Sequence, residues 1–208
     1  AAERGRKVLV LEKNAQLGKK LAISGGGRCN ICNAQDDVHI LLGHYGLGKK
    51  FLYSSFAQFG VSEVFRFFES LGLPLKIEAN HRTFPTTEKA SDVVRVFKEY
   101  LKKQNVEIRT HTVVSGFICE GEKIQGVKVG NQTLTAESYI LATGGISHPE
   151  TGSTGDGFTW LAQLGHEVRK PTTTIVPLAV HDAWVKSLAG IALDNVKVTF
   201  FVEGKKRL

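Results

Sequence analysis

The chain has 208 residues, 42% hydrophobic and 23% charged, the make-up of a globular protein with one large domain, or one domain and part of another. Its formal charge is +7, but lysines and arginines are scattered, with small clusters such as 49–50, 102–103 and 205–207, which argues against a nucleic-acid footprint on one face. Three cysteines are too few for a disulfide scaffold, and neither a membrane-length apolar run nor a signal-peptide h-region is present, so a cytoplasmic protein with no membrane partner is expected.

The chain contains no methionine, and "AAERG" reads as the last turn of a helix closed by Gly5, so the sequence is expected to start inside a longer polypeptide. "KVLVLE" (7–12) predicts a strand buried on both faces of a parallel sheet, closing a βαβ unit whose opening half lies upstream. Residues 34–50 read as an irregular excursion. "SEVFRFFESLG" predicts a helix with Ser62 as N-cap, Val64, Phe67, Phe68 and Leu71 on one face, and Gly72 as its stop. A further helix is expected from Ser91 to Lys103, with Val93, Val94, Phe97, Tyr100 and Leu101 as its buried stripe and Lys102 and Lys103 at the negative end of its dipole. "VEIRT" (106–110) predicts a strand.

From 112 to 143, short β-prone runs broken by "EGEK", "VGNQ" and "AES" predict a meander of hairpins leading into one more buried strand, "YILAT". The Gly-rich loop "GGISHPETGSTGDG" then precedes a helix, "FTWLAQLG". A change of pattern near residue 176 suggests a second, β-rich domain, in which "VKVTFFVEGKKRL" is a strand running toward a turn. The expected domains are therefore 1–175 and 176–208.

Five stretches carry candidate chemistry. Glu12 closes the first strand, where an acid in a dinucleotide-binding fold accepts hydrogen bonds from a ribose hydroxyl; the bland alternative is an exposed strand-end carboxylate. That acid follows its glycine fingerprint by ~20 residues, which puts the fingerprint upstream of Ala1. "SGGGRCN" can bring backbone amides close to a ligand, with Arg28 toward a phosphate or carbonyl and Ser24 and Asn30 as hydrogen-bonding groups; a tight turn with one exposed arginine is the alternative. Cys29 and Cys32 have dithiol spacing, but no helix follows a strand there, and a zinc site lacks its second pair, so no metal is expected. "ILATGG" ends in Ala142, Thr143 and Gly144, small enough for a cofactor to lie against the backbone. "GSTGDGF" precedes a helix whose positive end suits an anionic group, with Asp156 equally readable as an N-cap. In "HRTFP", Arg82 reads either as a contact to a substrate carboxylate or flavin, or as a turn arginine.

In order, "AAERGRKVLVLEKN", "GKKLAISGGGRCN", "RTFP", "KASDVV", "ILATGG", "GSTGDGF", "LGH" and "VPL" make a set that resembles the bacterial NAD(FAD)-utilising dehydrogenase family of aminoacetone-oxidase-like flavoproteins. That family lies in the glutathione-reductase-like superfamily with two dinucleotide-binding motifs. The resemblance implies an α/β, Rossmann-like FAD-binding domain with a β-meander, lacking its first strand and glycine loop, plus the start of an inserted, β-rich substrate domain. It implies an FAD-dependent oxidoreductase acting on a small molecule, with NAD(P)H as a candidate donor. It places Glu12 on the adenosine ribose, and Lys13, Lys20 and the loop of Ser24, Gly25, Gly26, Gly27, Arg28, Cys29 and Asn30 along the cofactor. Val113 or Val114 would meet the adenine, Ala142, Thr143, Gly144 and Gly145 the second crossing, and Thr154, Gly155, Asp156 and Gly157 the flavin side. Arg82 and Arg28 are the candidates for substrate or flavin contact. His81 stands where the family has glycine and Cys32 where it has threonine, which makes the Cys-x-x-Cys incidental. The other readings are an FAD-binding regulatory module without turnover and a flavoprotein acting on RNA.

Overall fold

The computed structural model describes residues 1–169, 171–172, 180–191, 197 and 199–207. The chain divides into two compact units, Ala1–Arg169 and Lys170–Leu208. The expected boundary near residue 176 and the "VPL" motif lie outside the described residues.

In the first unit, β1 (Leu9–Leu11) pairs in parallel with β5 (Glu107–Arg109), Val10 opposite Ile108. The parallel pairing expected of "KVLVLE" is present, but β1 is shorter than predicted and only partly covered: Leu9 keeps 37% of its surface in solvent. Between the two strands the chain forms α1 (Lys19–Ile23), α2 (Val38–Gly43), α3 (Lys49–Gln58), α4 (Val61–Ser70) and α5 (Ala90–Lys103). A small antiparallel sheet lies among them: β2 (Cys32–Asn33), β3 (Leu75–Glu78) and β4 (Arg82–Pro85), in the order β2-β4-β3. The predicted meander follows as β6 (Val114–Glu120), β7 (Lys123–Val129) and β8 (Gln132–Leu134), all antiparallel. Helix α6 (Asp156–Gln163) closes the unit.

The core forms where α4 and α5 present apolar faces to the glycine-rich turn. Phe68, Leu73, Ala90, Val93 and Val96 are buried together with Cys29, and Leu21, Ile31, Val64, Phe67 and Phe97 pack around them. Phe67 meets Phe68 and Tyr100 edge-to-face at centroid distances of 5.2 and 5.3 Å and Phe97 in a tilted pair at 5.9 Å, all within the range in which aromatic rings attract. Val96, absent from the expected stripe, is buried beside Val93.

Three helices end the same way. Leu73 N–H reaches the Phe68 carbonyl at 2.9 Å, Val106 reaches Leu101 at 3.0 Å, and His166 reaches Leu161 at 3.0 Å. Each is the six-to-one bond of a Schellman motif, with Gly72, Asn105 and Gly165 supplying the left-handed residue. Gly72 thus stops α4 as the sequence predicts.

Several sequence expectations are corrected. Residues 34–50 are not irregular: Asp37 caps α2 by accepting from the His39 and Ile40 amides at 2.7 and 3.2 Å, and α3 follows. Ser62 is not the cap of α4; Gly60 is, and Glu63 reaches back to its amide at 2.9 Å. Asp156 is not a cap either, because Gly155 holds that position and Asp156 begins α6. "YILAT" forms no strand, and Ile140 is 87% exposed. Its main chain finds no ladder partner among the described residues, so side chains anchor it instead: the Tyr139 hydroxyl donates to the Gln125 carbonyl at 3.2 Å.

In the second unit, β9 (Phe200–Val202) and β10 (Lys205–Arg207) form a hairpin with Glu203 and Gly204 both at positive φ, the turn that "VEGKK" suggests.

Phe68→Ala should destabilise the protein by about 3–5 kcal/mol in urea unfolding, because it empties the centre of the core. Leu47→Ala, at a position 92% exposed, should stay within about 0.5 kcal/mol of the parent.

Candidate functional site

Strand β1 delivers Glu12, Lys13 and Asn14 at its carboxyl end. The ladder with the β5 side continues there: Glu12 N–H donates to the Arg109 carbonyl and the Glu12 carbonyl accepts from Thr112, both at 2.9 Å. Glu12 is therefore held by main chain on both sides. Its Oε1 accepts from Asn14 N and Nδ2, each at 2.8 Å, while Oε2 takes no bond from a described group. One carboxylate oxygen is oriented and the other is available, as a hydroxyl-bearing ligand requires.

Next to Glu12, residues 144–157 dock on the segment 13–20. Lys13 Nζ donates to Thr154 Oγ1 at 2.7 Å and to Asp156 Oδ2 at 2.9 Å, and Thr154 Oγ1 donates to the same carboxylate oxygen at 2.8 Å. Lys20 Nζ reaches the Ser147 carbonyl, Ser147 Oγ and Ser153 Oγ at 2.9, 3.0 and 3.2 Å. Lys19 Nζ donates to the Glu150 carbonyl at 2.5 Å, and Asn14 Nδ2 to that of Thr151 at 3.0 Å. Close approach to this segment depends on Gly152, where a Cβ would come within 2.7 Å of Asn14 Nδ2, while Gly157, where a Cβ would overlap Thr143 Oγ1, lets the loop tighten on itself. The Asp156 carboxyl is held below the usual carboxylate range, first by Lys13 and then by Thr154.

A second cluster surrounds the glycine turn. Gly25, Gly26 and Gly27 all have positive φ, at 57, 66 and 82°. A Cβ on Gly25 would strike the Asn30 amide at 2.6 Å, whereas nothing lies within 4 Å of one on Gly26 or Gly27, so the outer side of the turn is open. Ser24 Oγ bonds back to the Leu21 carbonyl at 2.8 Å, and Asn30 Oδ1 accepts the Thr83 amide at 3.2 Å. Arg28 does not extend to the open side. It donates to Glu78 and Glu88 at 3.0 and 3.1 Å and stacks on Phe84 with 3.9 Å to the ring centroid. Its guanidinium is held above its ordinary value chiefly by the Glu78 bond, against a smaller opposing effect of burial.

Cys29 turns its side chain into the core, 2% exposed, and Cys32 is half-buried in β2. Burial pushes both thiols up, with weaker opposing bonds from Ser24 and Thr83 respectively. A redox dithiol needs a thiolate favoured by its surroundings, and these surroundings disfavour it. Among the described residues no group of three His, Cys, Asp or Glu side chains is placed to hold a metal ion.

The structure thus brings Glu12, Lys13, Lys20, Thr143, Gly144, Thr154, Gly155, Asp156 and Gly157 into one region, and the Ser24–Asn30 loop with Arg82 into another, with α1 carrying Lys20 of the first and leading into the loop of the second. Val113 is exposed and Val114 begins β6; Ala142 is exposed and Gly145 half-buried, and no described hydrogen bond ties these four to either cluster. The partners that sequence reasoning missed are Asn14, Ser147, Ser153, Glu78 and Glu88. Their contacts span 50 or more residues apart from the local one of Asn14, so no spacing rule reveals them. A separate open groove of about 750 Å³ lies between residues 14–23 and α5, lined by Leu17, Ile23, Val94 and Lys98 among others. It shares only Asn14 and Lys19 with the clusters above, so the convergent polar groups define the site better than the groove does.

A parallel strand ending in an oriented acid, beside glycine-bearing turns, defines a nucleotide-binding arrangement of Rossmann type. The chain belongs to the HI0933-like protein Rossmann domain family, whose model matches residues 1–203. It is 29% identical over 187 residues to the 3-dehydro-bile acid delta(4,6)-reductase of Clostridium scindens, covering 90% of this chain and 44% of that protein. It is 26% identical over 200 residues to the ribosomal RNA dihydrouridine synthase of Escherichia coli, covering 94% and 48%. The chain spans a little under half the length of these relatives. Among solved structures, the open conformation of a flavocytochrome c3 fumarate reductase matches with a TM-score of 0.52 and 18% identity, over 76% of this chain and 40% of the other, a likeness of fold. No helix among the described residues is long and apolar enough to cross a membrane.

The lowered Asp156 carboxyl makes the Lys13 contact pH-dependent in a defined direction. It is in full force above the ordinary aspartate range and is lost as pH falls through the lowered value. Hydrogen-exchange protection of the amides in 152–157 should therefore persist at neutral pH and fall only in acid. In Lys13→Met it should already be reduced at neutral pH, with the difference from the parent narrowing in acid.

Proposed function

We propose that this chain is the cofactor-binding region of an FAD-dependent oxidoreductase acting on a small molecule, of the aminoacetone-oxidase-like or bile-acid-reductase-like kind within the glutathione-reductase-like superfamily. The observation that carries the reading is Glu12: its Oε1 is locked by Asn14 and its Oε2 takes no bond from a described residue at the end of a parallel strand, beside the docked residues 144–157. The residues fit the cofactor in kind. An oriented carboxylate suits a ribose hydroxyl, Lys13 and Lys20 suit an anionic linkage, and the open side of Gly26 and Gly27 admits a flat group against main chain. Bound FAD would supply the redox chemistry, accepting and returning electrons that no side chain of the site can carry.

The protein's part is to bind and orient. Glu12 would hold the ribose, and Lys13 and Lys20 would exchange their present oxygen partners for cofactor oxygens. The Ser24–Asn30 main chain, Val113 or Val114, Ala142–Gly145 and Thr154–Gly157 would line the remainder. NAD(P)H is the proposed donor and the cytoplasm the proposed compartment. The bile-acid reductase relative supports a small-molecule substrate. The dihydrouridine synthase relative supports a second reading, action on RNA, which the scattered distribution of the +7 charge does not favour.

Titration of the protein with FAD, followed by quenching of flavin fluorescence, tests the proposal. Saturable binding is expected of full-length protein that carries the glycine fingerprint, and Glu12→Gln there should weaken it by about 1.5–3 kcal/mol, the worth of a hydrogen bond to a charged group. A flavin signal indifferent to the full-length protein would overturn the reading. Anaerobic photoreduction followed by reoxidation separates an oxidoreductase from a regulatory module, and RNA binding with a steep salt dependence would favour the RNA reading.

A further inference from the structure

The charges around the glycine turn do not balance. Glu78 and Glu88 supply two negative charges. Arg28 approaches both, at 3.0 and 3.1 Å, and Lys76 approaches both, at 3.2 and 2.6 Å. Two cations and two anions therefore satisfy one another through four short contacts. Both carboxyls are held below the usual range, Glu78 first by Arg28 and Glu88 first by Lys76.

Arg82 is the third cation and is left over. Its Nη2 lies 3.8 Å from Glu78 Oε2, at the edge of ion pairing, and its Nε donates to the Ala79 carbonyl at 3.2 Å. A guanidinium offers five N–H donors in a rigid fork. No other carboxylate pairs with Arg82 among the described residues, and its side chain is 48% exposed. The backbone beneath it is fixed, because β4 pairs with β2 on one side and β3 on the other. The Phe84 ring connects it to the turn: the Arg82 guanidinium carbon sits 5.9 Å from the ring centroid, and the ring edge lies 3.3 Å from where a Gly25 Cβ would be.

We propose that Arg82 is an oxyanion-binding residue beside the Ser24–Gly27 turn, and that the oxyanion is a carboxylate of the substrate. The proposal rests on the flavin oxidoreductase reading for the word substrate, and it narrows that substrate to carboxylates. A cofactor phosphate has the same chemistry, but the cations suited to it, Lys13 and Lys20, lie in the other cluster. No described hydrogen bond or ion pair joins that cluster to Arg82. The planar fork also matches a carboxylate in two parallel hydrogen bonds. Arg82 is thus a binding residue, and Arg28, consumed by Glu78 and Glu88, is a positioning residue for the turn.

Calorimetric titration with benzoate, its neutral isostere benzamide, and inorganic phosphate tests this, on FAD-free and FAD-loaded protein. Benzoate should bind at least tenfold more tightly than benzamide in both forms. Arg82→Gln should erase that preference, and Arg82→Lys, which keeps the charge but not the fork, should restore part of it. Equal binding of benzoate and benzamide, no benzoate binding at all, or an unchanged preference in Arg82→Gln would overturn the proposal. Loss of benzoate binding on FAD loading, or phosphate outcompeting benzoate only in FAD-free protein, would assign Arg82 to the cofactor and overturn the substrate assignment. The FAD-free arm reads Arg82 whether or not flavin binds, so failure of the flavin reading registers separately, as the absence of a flavin band.

Discussion

The Lys13 ammonium, shared between Thr154 and Asp156, decides where the second half of the site sits relative to the first. The residues it joins are 141 and 143 apart in sequence. No β-ladder does this work, since residues 139–155 pair with no strand among the described residues. An exposed ion pair alone contributes about 0–1 kcal/mol, too little to order a long connection. The docking holds because it is repeated: Asn14, Lys19 and Lys20 each reach another oxygen on the same loop, and Gly152 leaves room for the Asn14 and Lys13 side chains. An apolar anchor supports the far side, where Trp160 of α6 meets Phe117 of the meander edge-on at 5.8 Å. The arrangement is rich in half-exposed polar contacts and poor in buried ones, which places it among the segments that open before the core does. A ligand that binds both halves would take over the same closure.

The elements legible in the sequence are those whose signal is local. The 3.6-residue apolar repeat of α4 and α5 and the Gly72 stop lie within single helices, and the turns of the meander lie within single hairpins. The errors arise where a local signal has two meanings. Three glycines among residues 43–48 suggest a loop, and they do interrupt the chain, but Asp37 still caps a helix that buries Leu41 and Leu42 just before them. Ser62 has the chemistry of a cap, yet Glu63 reaches the Gly60 amide and starts the helix earlier. "YILAT" has the composition of a buried strand, but composition cannot supply a neighbour to pair with. For the site, residue types were legible and partners were not. Glu12, Lys13 and the glycine turn announce themselves, whereas Asp156 meeting Lys13, or Glu78 meeting Arg28, is a consequence of tertiary structure.

The two arginines flanking Phe84 show why residue type alone does not settle a role. Arg28 sits inside the glycine motif and looks the better candidate for a ligand contact. Its guanidinium instead lies over the ring and donates to two carboxylates, one on the β3 strand and one just past β4. That arrangement ties the turn to the small sheet and leaves the Gly26 and Gly27 side uncovered. Arg82 lies outside the motif, on the strand that carries Phe84, with one main-chain acceptor and one long contact. Because Lys76 and Arg28 already neutralise both glutamates, whatever negative charge completes Arg82 must come from elsewhere. The net charge of +7 says nothing about this, since most of it is spread over solvated lysines. What matters is a local excess of one guanidinium, held on a paired strand next to an open turn, where a counter-charge competes only with the long Glu78 contact and leaves the short pairs of Arg28 and Lys76 intact.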